Sequence, residues 1–140
     1  DAIEAAKKNA GRNSLKVKFV HADLFPYLRD RIRTGNLPDV IVLDPPKLIK
    51  SKEGFSEGLG LYGDMNRTAM TALPPGGLLF TFSCSGLLSE EEFLKMLSVA
   101  AFNSGRSIQV LRIVGAAPDH PYLLNAPETR YLKGVLARVL

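Results

Sequence analysis

Only one cysteine, Cys84, occurs among the 140 residues, so no disulfide can close within the chain. A reducing, cytoplasmic setting fits that composition. Histidine is scarce as well: His21 and His120 stand far apart, and with a single thiol they make a poor zinc ligand set, so no metal is expected. No apolar run approaches bilayer-spanning length and no signal-peptide pattern opens the chain, so no membrane partner is expected. A Gly-x-Ser-x-Gly elbow is missing, which excludes the serine-hydrolase arrangement built on it. No internal repeat appears, and no linker rich in Pro, Gly or Ser divides the chain. An initiator methionine is missing too. Asp1-Ala2-Ile3-Glu4-Ala5-Ala6-Lys7-Lys8-Asn9-Ala10 reads as an amphipathic helix already under way, so a fragment is expected ahead of a processed chain.

What is present suits one globular domain or part of one, with 46% apolar residues. Lysine plus arginine exceed aspartate plus glutamate by 18 to 14, a mild excess that permits a polyanionic partner without demanding one.

Along the chain, the opening helix should stop near Gly11. Val17-Lys18-Phe19-Val20-His21 alternates and reads as a strand running into Ala22-Asp23. Residues 24–33 have helical spacing and end at Gly35. Residues 40–43 form a short continuous apolar run, the pattern of a strand covered on both faces. A polar, Gly/Lys-rich loop is expected over 47–60, then a helix over 62–73 closed by Pro74-Pro75-Gly76-Gly77, and a second continuous apolar strand over 78–82. Ser89 followed by Glu92 forms a capping box for a helix running to about Asn103. Residues 108–114 and 131–140 are the last strands, separated by a loop of roughly sixteen residues, long enough to suggest function. The alternation predicts an α/β fold, a parallel sheet with helices on both faces, closed at one edge by an antiparallel C-terminal pair.

The most informative feature is Asp44-Pro45-Pro46-Lys47 at the end of the run Val40-Ile41-Val42-Leu43. Proline lacks an N–H and biases its predecessor to extended geometry, so the chain leaves the sheet as a stiff backbone with free carbonyls. In open α/β sheets, ligands bind at the carboxyl ends of strands. A carboxylate ending a buried strand needs a partner, and Lys47 and Lys50 are near in sequence. The second strand ends in Ser83-Cys84-Ser85, which places the only thiol at the same kind of position.

Each motif has a bland reading beside the chemical one. Asp23 is a helix N-cap or a ligand-facing carboxylate. Cys84 is a small buried hydrophobe or, in polar surroundings, a nucleophile. His21 reads as a structural strand residue. Gly58-Leu59-Gly60-Leu61-Tyr62-Gly63 matches the dinucleotide pattern in letters, but no strand feeds it, and a mobile loop over a site is the better reading. Asp119-His120-Pro121 and the stretch 127–134 flank the late loop and put acid, imidazole and guanidinium near one sheet edge.

Taken together, Asp-Pro-Pro-Lys at 44–47, Tyr62-x-Asp64-x-Asn66-Arg67, Pro75-Gly76-Gly77, Ser83-Cys84-Ser85, Ala117-Pro118-Asp119-His120-Pro121 and Pro127-Glu128-Thr129-Arg130-Tyr131-Leu132-Lys133-Gly134 resemble a known set. Their order and spacing are similar to those of the S-adenosylmethionine-dependent methyltransferases that make 5-methylcytosine in large-subunit ribosomal RNA. The resemblance covers essentially all of the chain. It implies a Rossmann-like, seven-stranded sheet of order 3-2-1-4-5-7-6, truncated here at the N-terminus. Residues 1–140 would be a partial catalytic domain, from the helix after the second family strand to the seventh strand. The acid that holds the cofactor ribose would lie upstream, so Asp1 is not it.

The resemblance also implies roles. Cys84 would attack cytosine carbon 6, and Asp44 would contact the target base. Asp23, Asp44 and Pro45 would face the cofactor S-adenosylmethionine. Pro46, Lys47, Lys50, Lys52 and Arg130 would contact ribosomal RNA, and a homodimer is compatible with the family. The isolated fragment is expected to be inactive. Asp-Pro-Pro also occurs in methyltransferases acting on guanine nitrogens, which need no thiol; an RNA guanine N-methyltransferase is therefore the alternative enzyme. A non-catalytic RNA-binding remnant is the alternative outside enzymes.

Overall fold

The computed structural model describes residues 2–140; Asp1, the expected start of the opening helix, lies outside them. Short-range signals set the helix ends. Helix α1 spans Ala2–Arg12, one residue past the expected stop at Gly11. Helix α2, Leu24–Thr34, starts where the Asp23 carboxylate accepts the Phe25 N–H and ends at Gly35 in the left-handed region, φ 68°. Helix α3 spans Phe55–Ala72. Helix α4, Glu90–Ser104, opens on the expected capping box, with Ser89 and Glu92 bonded reciprocally, and closes at Gly105, φ 67°.

Four strands make one mixed sheet: β1 (Val40–Leu43), β2 (Leu78–Ser83), β3 (Ile108–Val114) and β4 (Lys133–Val139). Their spatial order is β1-β2-β4-β3. Strands β1 and β2 are parallel, Val40 opposite Leu78 and Leu43 opposite Thr81. Strand β4 runs antiparallel to both β2 and β3, so the expected antiparallel pair closes one edge.

Register determines which residues are buried. Leu79, Thr81 and Ser83 of β2 stand opposite Ala137, Val135 and Lys133 of β4, and all six are buried on one face. Met70 of α3 and Leu94 and Leu97 of α4 pack toward that face, and Tyr62, Leu73 and Phe93 complete the core. The opposite face carries Leu78, Phe80, Phe82 and Leu136, only half-buried, and α1 buries no side chain. The α/β class is as expected, with its dense helical layer on one face.

Three local expectations are corrected. Residues 17–21 are not a strand. A strand exists only through a partner's backbone, and Val20 and Ala22 instead line an open hollow of about 430 Å³ together with Val40 and Val42. Strand β1 is accordingly an edge strand rather than one covered on both faces: Val40 and Val42 are 54% and 63% exposed. The loop expected over 47–60 gives way to helix from Phe55 onward, so Gly58 and Gly60 lie inside α3 rather than in a mobile loop. Isolated glycines cost a helix about 1 kcal/mol each, but packing overrides that here. A Cβ on Gly58 would lie 2.7 Å from Ile49 Cγ1 and 2.8 Å from the Leu48 carbonyl oxygen, so the missing side chain lets α3 approach the segment leaving β1.

Candidate functional site

Because β1 and β2 are parallel and in register, Asp44 and Cys84 leave the sheet at the same end. A buried hydrogen-bond network joins the two exits. The Ser85 N–H donates to Ser83 Oγ at 3.2 Å. Ser85 Oγ accepts the Ile49 N–H at 3.2 Å and shares a hydrogen bond with the Tyr62 hydroxyl at 3.0 Å. Ser83, Ser85, Ile49 and Tyr62 are all fully buried, whereas Cys84 is half-buried. The serines are used up in fixing the turn, and the thiol between them stays accessible. That arrangement disfavours the buried-hydrophobe reading of Cys84.

Lys133, at the start of β4, fixes the same turn from the other side. Its ammonium donates to the carbonyls of Ser85 and Tyr131, both at 2.8 Å, and the residue is 6% exposed. Burial pushes the Lys133 ammonium below the ordinary lysine value, while Cys84, Glu90 and Glu92 act in the opposite direction. Lys133 is thus a buried cation held by two carbonyls beside the turn that carries Cys84.

Cys84 lines an open hollow of about 690 Å³ with Lys47, Gly86, Leu87, Glu128 and Tyr131. Of the anticipated site residues, the structure brings Lys47 and Cys84 together there. Asp44 and Pro46 are exposed and Pro45 is buried. Asp44 forms no ion pair with Lys47 or Lys50 among the described residues, and its exposure removes the need for one. Lys50 and Lys52 are exposed. Asp23 serves as the α2 cap through Oδ1, 3.0 Å from the Phe25 N–H, and lines a separate hollow of about 300 Å³ with Phe25, Arg29 and Asp64. Arg130 is engaged already: its guanidinium pairs with Glu90 at 3.3 Å and sits 5.9 Å from the centre of the Tyr122 ring.

Lys133, Tyr62 and Tyr131 were not anticipated as site residues. Their motifs were visible, but only the register of β4 and the seating of α3 turn those side chains toward the Cys84 turn. Among the described residues, no group of three His, Cys, Asp or Glu side chains is placed to hold a metal, and no helix is long and apolar enough to cross a membrane.

An open mixed sheet of order β1-β2-β4-β3, with the candidate residues Asp44 and Cys84 at the carboxyl ends of its parallel strands, defines an α/β fold shared with solved methyltransferases. The chain superposes on SMU.776 complexed with SAH with a TM-score of 0.76, over 96% of this chain and 35% of that one, at 21% identity. It superposes on a methyltransferase homologue protein from Pyrococcus horikoshii with a TM-score of 0.67, over 98% and 50% of the two chains, also at 21% identity.

In sequence, it is 42% identical over 142 residues to ribosomal RNA large subunit methyltransferase I of Pseudoalteromonas atlantica, covering 99% of this chain. It is 40% identical over 143 residues to the protein of the same name from Salmonella arizonae, covering 100% of this chain. The chain spans 36% of the length of each of these relatives. No protein-family model matches it.

Proposed function

We propose that this chain is the target-base side of the catalytic domain in a longer S-adenosylmethionine-dependent methyltransferase, and that the enzyme methylates cytosine carbon 5 in large-subunit ribosomal RNA. Residues 1–140 would run from the helix after the second strand of the full sheet to its seventh strand. The observation that carries this reading is the half-buried Cys84 thiol, held between two buried serines and opening into a hollow with Lys47. Identity of 40–42% to proteins named for large-subunit ribosomal RNA methylation supports the substrate class.

The chemistry follows from the acceptor. Cytosine carbon 5 is a poor nucleophile. Attack of the Cys84 thiolate on carbon 6 forms a carbon–sulfur bond and makes carbon 5 enamine-like. S-adenosylmethionine, when bound, supplies an electrophilic methyl at its sulfonium. Asp44 is exposed at the end of β1 and unpaired among the described residues, which leaves its carboxylate available to hold the cytosine, with the Pro45 and Pro46 carbonyls beside it. Asp23 uses only Oδ1 in capping α2, so its second oxygen is free for the adenine amino group. These groups are acceptors, which suits a ligand bearing a sulfonium, an ammonium and an exocyclic amine. Lys47, Lys50 and Lys52 supply phosphate contacts, and Arg130, already paired with Glu90, contributes less. The target base is reached only when flipped out or single-stranded.

The test is nucleoside analysis of an rRNA fragment after reaction with the full-length protein and its Cys84→Ala variant. The reading expects 5-methylcytidine from wild type and none above background from the variant. Methylated guanosine, or undiminished transfer by Cys84→Ala, would instead indicate a nitrogen acceptor.

A further inference from the structure

Methyl transfer to carbon 5 leaves a proton there that must depart before the cysteine can be released, and none of the residues assigned above accepts it. The inference that follows rests on the cysteine-adduct reading.

One aromatic side chain at the end of the late loop lines the Cys84 hollow, and a histidine of that loop backs it. Tyr131 lines it, packed beside Gly86, where an added Cβ would lie 3.7 Å from Tyr131 Cβ. The Tyr131 hydroxyl is 2.6 Å from His120 Nε2, with the rings edge-on at 5.8 Å between centroids. The geometry is supported from both ends. Lys133 binds the carbonyls of Tyr131 and Ser85 at once, so a single ammonium fixes the tyrosine relative to the thiol turn. In the loop, Thr129 Oγ1 accepts the Leu123 N–H at 2.9 Å and donates to the Ala126 carbonyl at 2.6 Å, which folds the segment back between His120 and Tyr131. Glu128 shares the hollow but is exposed and holds no hydrogen bond to the pair.

We propose that Tyr131, backed by His120, is the base that releases the methylated cytosine. With His120 neutral and its own proton on Nδ1, Nε2 accepts from the Tyr131 hydroxyl. Tyr131 Oη takes the carbon 5 proton as the phenolic proton passes to His120. The electrons of the carbon 5–hydrogen bond form the carbon 5–carbon 6 double bond, the carbon 6–sulfur bond breaks, and Cys84 leaves as a thiolate while His120 becomes an imidazolium. His120 works through Tyr131 and does not touch the base.

The test separates release from attack. With ordinary rRNA and S-adenosylmethionine, full-length Tyr131→Phe is expected to turn over about a hundredfold or more slowly and to accumulate a methylated RNA–protein adduct that survives denaturation. His120→Gln should accumulate the same adduct, and the Cys84→Ala/Tyr131→Phe double variant none. RNA carrying 5-fluorocytidine has no carbon 5 proton to lose, so wild type and both single variants should all be trapped on it. A variant that is trapped by the fluorinated RNA yet shows no adduct on ordinary RNA overturns the proposal, as does wild-type turnover by Tyr131→Phe. Where Tyr131→Phe fails to trap even the fluorinated RNA, His120→Gln decides by the same two criteria. Failure of wild type to trap the fluorinated RNA would sink the cysteine-adduct reading itself, and this proposal with it.

Discussion

The Tyr62 hydroxyl lies 3.0 Å from Ser85 Oγ, and this bond ties helix α3 to the turn that carries Cys84. Ser85 Oγ also accepts the Ile49 N–H, so one buried hydroxyl joins α3, the segment leaving β1 and the end of β2. Tyr62→Phe keeps the ring and removes the bond. It is expected to cost about 1 kcal/mol, the usual net value of a buried hydrogen bond. Urea unfolding measures it, and an unchanged midpoint would mean that Ser85 does not depend on Tyr62.

Gly58→Ala tests the seating of α3 on residues 48 and 49. In an exposed helix this change stabilises by about 1 kcal/mol. Here the new methyl would meet Ile49 Cγ1 at 2.7 Å and the Leu48 carbonyl oxygen at 2.8 Å, so a loss of about 1–3 kcal/mol is expected. The sign of the change in unfolding free energy settles it.

Lys133 gives a pH signature. Burial lowers its proton affinity in the folded state, so between that lowered value and 10.5 the unfolded chain binds a proton that the folded chain has released. Stability contributed by this group therefore rises with pH across that interval. Lys133→Met lacks the effect, and the difference in unfolding free energy should shift toward wild type as pH rises to 10.5. Denaturant melts at a series of alkaline pH values check this; a constant difference would contradict it.

Lys47 and Arg130 should differ in their contribution to RNA affinity. Lys47 is exposed at the Cys84 hollow, whereas Arg130 is already paired with Glu90 at 3.3 Å. Lys47→Ala is expected to reduce the slope of log affinity against log salt by about 0.7, the value for one phosphate contact to a single strand. Arg130→Ala should change it less. Equal effects would mean that Arg130 leaves Glu90 when RNA binds.

The parts legible in the sequence were those set by short-range chemistry or strong apolar patterning. The Ser89–Glu92 capping box, the Asp23 cap and the stops at Gly35 and Gly105 each depend on a few adjacent residues. The apolar runs that became β1 and β2 were equally plain, and with them the strand-end positions of Asp44 and Cys84. What failed depended on distant partners. Residues 17–21 have a strand's alternation but pair with no strand among the described residues. Gly58 reads as loop because its place in α3 depends on close approach to Leu48 and Ile49, which are distant in the reading of local sequence. Lys133 gave no local sign of burial, since only its pairing opposite Ser83 turns it inward.

The cysteine mechanism requires Cys84 to become covalently joined to the target cytosine. Its most direct test is peptide mass mapping of the full-length protein after reaction with S-adenosylmethionine and rRNA carrying 5-fluorocytidine. A methylated 5-fluorocytidine nucleotide is expected on the peptide containing Cys84, and none in Cys84→Ala. Methylated RNA formed with no modified Cys84 peptide would contradict it.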